Sequence, residues 1–282
     1  MIPATRPLAA GLLGLALACA PLRAAVGVDL SSPAQALALS PPAAVAMDRV
    51  QPFGSGTLRL IEDYPLAPLH WDARDWLWAA VAGAGVAAAW NNDLPLYRGL
   101  STGDARKPWL DHSMPAVSSF GDGIMELGAT ALLAKLGPPR LARVSAEAVQ
   151  ALAVVAVYSE VFKTAAWGNR PYQDSTQHKL WYFSQSTQGM PSGHTFSAFA
   201  VAEVYGAEYG RWWTYPIALL IAYSRVYNQA HWSSDVAAGC ALGIAAGVQA
   251  RHQAAALGPP ALRFGLAPSP DGSPLMVIHA PF

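Results

Sequence analysis

The residues with chemical capacity fall in three short stretches. The first holds Lys163 and Arg170, the second is the turn-forming run Met190-Pro191-Ser192-Gly193-His194-Thr195, and the third, SRVYNQAHWSSD, holds Arg225, His231 and Asp235. A separation of seven is close to two helical turns, so Lys163 and Arg170 are expected on nearly the same face, with Pro171 fixing the exit. Two cations pointing one way from an apolar helix call for an anion. The plain alternative is a snorkelling lysine, with Glu160 within reach, and a surface arginine at a helix end. In the second stretch Ser192 is a natural N-cap, Gly193 lets backbone close on a ligand, and the N–H groups of the new helix favour negative charge. On its own this is also ordinary capping chemistry with a histidine in the first turn. Arg225 sits late in an apolar helix, where an unpaired guanidinium is costly. Asp235 is placed to hydrogen-bond His231, which would fix one ring nitrogen as donor and leave the other as nucleophile or base; an aspartate cap beside a surface histidine is the alternative. Taken jointly, three cations, one helix N-terminus and two histidines at the ends of apolar helices make a donor set suited to a tetrahedral phosphate.

Helices must position these groups, and the pattern predicts an all-α bundle of about six. They run from about Trp71 to Trp90, Asp122 to Leu136, Ser145 to Trp167, the end of the PSGHT turn to Tyr209, Arg211 to Asn228, and Ser234 to Gln253. Residues 1–25 read as an export signal or signal anchor, with Arg6 in the positive region and Leu8 to Ala20 as the apolar region. Residues 26–70 read as an irregular lead-in, with a short helix or strand around Thr57 to Glu62, and Leu94 to about Val117 as a polar loop. The helical domain is 71–253. In the tail, 254–282, two apolar segments flank Asp271-Gly272, a signal for a small hairpin.

Charged residues make up 13% of the chain, against about 25% in ordinary domains. The formal net charge is zero and there is no basic tail, so a nucleic-acid partner has no electrostatic support. The apolar runs, at about 10 to 15 residues, fall short of a span of about 20. Charges are nevertheless scarce on every helix, and Trp and Tyr gather at helix ends, which favours a membrane-embedded bundle. Asp93, Asp122, Glu126 and Glu203 are explained by capping, loop solvation and helix contacts. His70, His112, His178, His252 and His279 lie outside the three stretches and are assigned no chemistry. Cys240, in the run VAAGCALGIAAGV, reads as a small core residue.

The stretches KTAAWGNRP (163–171), PSGH (191–194) and SRVYNQAHWSSD (224–235) resemble, in order and with no motif position substituted, the three-part signature of the type 2 phosphatidic acid phosphatase and haloperoxidase superfamily. The resemblance covers about residues 160–240 by motif and the helical layout from about 71 to 253. It implies that Lys163, Arg170 and Arg225, with Ser192 and the backbone N–H of Gly193, bind phosphate oxygens. It further implies that His231 attacks phosphorus to give a phosphohistidine while Asp235 holds its ring, and that His194 protonates the leaving oxygen. No metal and no cofactor enter that scheme. The implied substrate is a phosphate or diphosphate monoester, lipid or isoprenoid if the bundle lies in a membrane with its site facing the periplasm, or a small soluble ester if the protein is a periplasmic acid phosphatase. A vanadium haloperoxidase, which holds vanadate with the same residue types in a longer chain, and a non-catalytic phosphate-binding membrane protein are the other readings.

Overall fold

The computed structural model describes residues 53–181 and 189–257, together with the backbone of 263–268 and 274–279. The expected export segment and most of the lead-in lie outside the described residues. Within them the fold is all-α, with nine α-helices where about six were expected: α1 (Phe53–Asp63), α2 (Ala73–Asn91), α3 (Asp93–Ser101), α4 (Pro108–Ser119), α5 (Gly123–Leu136), α6 (Pro139–Ala166), α7 (Gly193–Tyr209), α8 (Arg211–Tyr227) and α9 (Ser233–Leu257). The six expected helices correspond to α2 and α5–α9.

Of the three additional helices, α1 covers the Thr57–Glu62 stretch where a short helix or strand was expected, and α3 and α4 fill a segment read as loop. The lead-in is helical from Phe53, and a 3₁₀ turn over Tyr64–His70 joins α1 to α2. The polar loop 94–117 is largely α3 and α4, the latter with Pro108 in its first turn. Proline there removes no intrahelical hydrogen bond, so what reads as loop punctuation is a helix start. Pro139 does the same for α6, which begins six residues earlier than the expected Ser145. The start of α2 follows from its sequence: Asp72 accepts the N–H groups of Arg74 and Asp75 at 2.8 and 2.9 Å, and Asp75 accepts that of Asp72 at 3.2 Å.

The core gathers around α7, which packs against α6, α8 and α9. Its contact with α9 is unusually close because glycine recurs every fourth residue on the facing stripe. A Cβ on Gly239 would lie 2.7 Å from the Ser192 carbonyl, on Gly243 2.4 Å from that of Phe196, and on Gly247 2.8 Å from that of Ala200. Backbone meets backbone along this seam, and its upper end is the turn that carries Ser192. Two buried clusters flank it, one built on Phe199, Tyr223, Tyr227 and Ile244, the other on Phe196, Val144, Val154 and Leu60.

The segment 93–119 docks on the end of α8. The Arg106 guanidinium donates to the Tyr227 carbonyl at 2.9 Å and pairs with Asp111 at 2.6 Å, while Asn228 donates to the Met114 carbonyl and Gln229 to that of Ser101. Beyond α9 the backbones of Arg263–Pro268 and Pro274–His279 pair antiparallel. Their turn and side chains lie outside the described residues, and the terminal hairpin expected there is not counted as an element of this fold.

Candidate active site

His231 lies in the short connection between α8 and α9, with 2% of its side chain exposed. Its Nδ1 is 3.3 Å from Asp235 Oδ2, which also accepts the Trp232 N–H at 3.0 Å. Asp235 is in the first turn of α9, fully buried, and its carbonyl accepts the Ser192 N–H at 3.0 Å. One backbone bond thus ties the turn that opens α7 to the histidine–aspartate pair. The expected spacing of His231 and Asp235 is met because both ends of the pair belong to a single helix start.

Ser192 occupies the N-cap position of α7, but its side chain caps nothing. Its hydroxyl instead accepts from Thr195 Oγ1 at 3.0 Å. The first-turn N–H groups of α7 are therefore not covered by the residue expected to cover them. Lys163 approaches this turn from α6: a Cβ on Gly193 would sit 3.3 Å from Ser159 Oγ and 3.6 Å from Lys163 Nζ. A Cβ there would be tight against Ser159 and in ordinary contact with Lys163, so glycine leaves the approach least hindered. Lys163 also pairs with Glu160 at 2.6 Å, whose side chain is 66% exposed.

Arg170 reaches the site by a different route from the one its spacing implies. α6 ends at Ala166, and Trp167 takes the left-handed conformation at φ 42°, so Arg170 stands on the loop beyond and not on the helical face of Lys163. The loop is held by Asn169, a fully buried residue. Its side-chain amide donates to the carbonyls of Asp174 and Gln177, its side-chain oxygen accepts the Lys179 N–H at 2.6 Å, and its carbonyl accepts the Trp232 indole N–H at 3.1 Å. The neighbour of Arg170 in sequence is thus bolted to the neighbour of His231.

Arg225 joins the site from the last turn of α8. Its guanidinium donates to the hydroxyl of Ser118 on α4, and its buried Nε has no hydrogen-bond partner among the described residues. His194, in the first turn of α7, lies within electrostatic reach of Arg225, Arg170, Lys163 and the carboxylate of Asp122, which also caps α5. Burial first, and then the charges of Arg170 and Arg225 with His194 and Lys163, hold His231 well below the usual histidine range. Both effects favour the neutral ring. The structure therefore brings Lys163, Arg170, Ser192, Gly193, His194, Arg225, His231 and Asp235 together.

Ser118, Ser159 and Asn169 were not singled out by sequence. Nothing marks them locally, except that Asn169 adjoins Arg170 in the first stretch.

Fold and site together define an all-α protein in which three cations surround a buried histidine–aspartate pair, a charge set suited to a tetrahedral oxyanion. Residues 146–258 match the PAP2 superfamily. The matched segment contains all three motif stretches. A 63-residue stretch is 44% identical to the lipid A 1-phosphatase of Porphyromonas gingivalis, covering 20% of this chain; the chain spans 14% of that protein's length. Among solved structures, Aquifex aeolicus LpxE aligns at a TM-score of 0.47 with 23% identity, over 57% of this chain and 94% of that one. A transmembrane PAP2 type phosphatidylglycerolphosphate phosphatase from Bacillus subtilis aligns at 0.42 with 18% identity, over 72% and 98%.

Proposed function

We propose that the chain is a phosphatase that hydrolyses phosphate monoesters of lipid substrates through a phosphohistidine on His231. The carrying observation is the placement of His231, held at Nδ1 by Asp235, among Lys163, Arg170 and Arg225, where burial and those charges favour its neutral form. Phosphoryl transfer demands alignment and charge neutralisation above all, and the cations with the first-turn N–H groups of α7 supply both. His231 Nε2 attacks phosphorus as the ester oxygen leaves, and His194 gives that oxygen a proton. A water then gives its proton to His194 and attacks the phosphohistidine, the P–N bond breaks, phosphate departs, and His231 is restored with its Nδ1–H still on Asp235. Burial, and after it the charges of Arg225, Arg170 and Lys163, disfavour a proton on His194, and the bound substrate's negative charge offsets those cations.

The lipid reading is supported by helices turned inside out. On α5 the residues that face the bundle are Thr130 and Glu126, whereas Ile124, Met125, Leu127, Leu132 and Leu136 are exposed, Ile124 by 83%. α2 buries no residue, yet its sequence is almost wholly apolar, with Trp76 and Leu77 more than half exposed. Apolar side chains outward and polar ones inward is the arrangement a bilayer selects. One helix among those described, α6, is long and apolar enough to cross a membrane. We assign the protein to the inner membrane with its site toward the periplasm. The lipid A 1-phosphatase relative favours an anionic lipid phosphate over a small soluble ester.

The test is phosphate release from a panel of lipid A, phosphatidylglycerolphosphate, isoprenoid diphosphate and p-nitrophenyl phosphate, with excess chelator present. Release from a lipid substrate, abolished in His231→Ala and His194→Ala, is expected. Undiminished turnover by His231→Ala would remove it as nucleophile, and turnover confined to p-nitrophenyl phosphate would favour a soluble-ester enzyme.

A further inference from the structure

Asp235 uses only one oxygen to hold His231. The other, Oδ1, faces Nε2 of His178 at 3.4 Å, and neither atom has a hydrogen-bond partner among the described residues. His178 comes from the loop that carries Arg170, and 2% of its side chain is exposed. Its Nδ1 is 2.7 Å from Oδ2 of Asp93, the first residue of α3, and 3.0 Å from the Ser234 hydroxyl. Asp93 is an acceptor throughout: Ser234 gives its N–H to Oδ1 at 2.9 Å and its hydroxyl to Oδ2 at 2.6 Å.

A buried imidazole with a carboxylate at each nitrogen is best satisfied when both nitrogens carry protons. The ring faces add to this. Trp90 of α2 stands against it at 4.1 Å between centroids, and Trp232 stacks with it at 5.4 Å. Indole faces favour a cation between them. The charged groups facing this ring are Asp93 from α3 and Asp235 from α9. Burial pushes the Asp235 carboxyl up to about 7, His178 is the strongest influence opposing it, Asp93 adds to the rise, and the Trp232 N–H and Arg170 oppose it, with His231 in direct contact.

We propose that Asp93 and His178 are a positioning pair for the nucleophile: Asp93 holds His178 as an imidazolium, and His178 Nε2–H keeps Asp235 ionised with its Oδ2 aimed at His231. The chain Asp93–His178–Asp235–His231 joins α3, the loop after α6, and α9. It explains why a loop histidine and an aspartate distant in sequence are both buried against a carboxylate already in use. The alternative proton placement puts the shared proton on Asp235 and leaves His178 neutral, which weakens the hold on His231. The role rests on reading His231 as the nucleophile, whereas the protonation state of His178 can be measured without turnover.

The first measurement is a two-bond ¹H–¹⁵N correlation spectrum of the full-length protein, labelled with ¹⁵N-histidine in detergent at pH 7, with His178 assigned from its loss in His178→Gln. An imidazolium pattern for His178 that turns neutral in Asp93→Asn is expected; a neutral pattern in the unsubstituted protein overturns the proposal whether or not the protein hydrolyses phosphate. The second is the pH dependence of kcat. Asp93→Asn and His178→Gln are expected to lower kcat on the order of 10- to 100-fold and to move the acidic limb to higher pH, because the Asp235–His231 pair then takes up a proton more readily. KM should stay within about twofold and inhibition by inorganic phosphate unchanged, since the cations are untouched. A loss of kcat uniform in pH, or one expressed in KM, would show the pair to be a structural staple. Failure of the unsubstituted protein to release phosphate from any substrate would count against the functional reading, and the spectrum would still decide the charge on His178.

Discussion

α7 carries a polar cluster toward each end, and the two differ in how their charge is settled. Toward the C-terminal end Glu203, 1% exposed, accepts from Arg211 at 2.9 and 2.6 Å, from Arg251 at 3.1 Å and from the Tyr215 hydroxyl at 2.6 Å. Nearby, Arg143 bridges Glu147 and Glu208. Every carboxylate there is matched from within the chain, and the helices close over the result. At the N-terminal end, among the described residues, Arg225 donates to a neutral hydroxyl and leaves its buried Nε without a partner, the carboxylate paired with Lys163 is out in solvent, and Asp235 divides its oxygens between His231 and His178. A closed set of charges is a fastening, whereas a surplus of cations around a neutral histidine is a place for an anion.

The comparison is broken most sharply by removing one charged side chain from each end. Arg225→Ala is expected to reduce kcat/KM by about 10²- to 10³-fold, the usual cost of losing one preorganised donor to a developing charge, with no loss of thermal stability, since its own buried Nε is then no longer unsatisfied. Steady-state kinetics beside a melting curve checks both halves. An equal loss of stability would mean that Arg225 is a fastening after all. Glu203→Ala should do the reverse. It leaves Arg211 and Arg251 facing each other without their shared carboxylate, which costs about 3–5 kcal/mol. The melting temperature should fall while kcat per folded molecule holds.

How far the sequence displays this contrast depends on the distance over which each contact acts. His231 and Asp235 are legible because the pair is local, spanning one helix start. Lys163 and Arg170 do converge, but through the left-handed turn at Trp167 and the bracing of Asn169, not through a shared helical face. Ser192 was placed correctly and its hydroxyl was not, because whether an N-cap side chain bonds its own helix depends on competitors such as Thr195. α3 and α4 escaped notice because prolines at helix starts look the same as prolines in loops until the chain folds. Asp93 and His178 are 85 positions apart and carry no periodic signal; burial against Ser234 and Asp235 is what joins them. The cluster at Glu203 was set aside as a helix contact, and the structure agrees.

The two ends share the glycine seam, so loosening it tests whether they are mechanically linked. Gly243 lies midway along it, and a Cβ there would come within 2.4 Å of the Phe196 carbonyl and 2.9 Å of Phe199 Cβ. Backbone cannot yield as a side-chain tip does, so α7 and α9 must separate. Gly243→Ala should cost about 1–3 kcal/mol, the range for overpacking, and should also lower kcat, because the Ser192–Asp235 backbone bond at the upper end of the seam registers the α7 turn against the nucleophile's partner. Denaturant unfolding gives the first quantity and single-turnover phosphate release the second. A stability loss with unaltered turnover would show that the upper end is registered by the loops alone.

The smallest effect is expected at Glu160, which distinguishes a surplus of charge from a mere ion pair. Its contact with Lys163 is short at 2.6 Å, but its side chain is 66% exposed, so water screens the attraction. Glu160→Gln should change stability by about 0–1 kcal/mol, as exposed pairs do. If Lys163 is held in reserve for phosphate, removing the competing carboxylate should strengthen substrate binding modestly, lowering KM by about twofold at low salt, with the gain fading as ionic strength rises. If the pair were instead a fastening like that at Glu203, the same substitution would lower the melting temperature and leave KM where it was. Titrating salt against KM in the two proteins separates these outcomes, because only an anion arriving at Lys163 makes the difference between them depend on ionic strength.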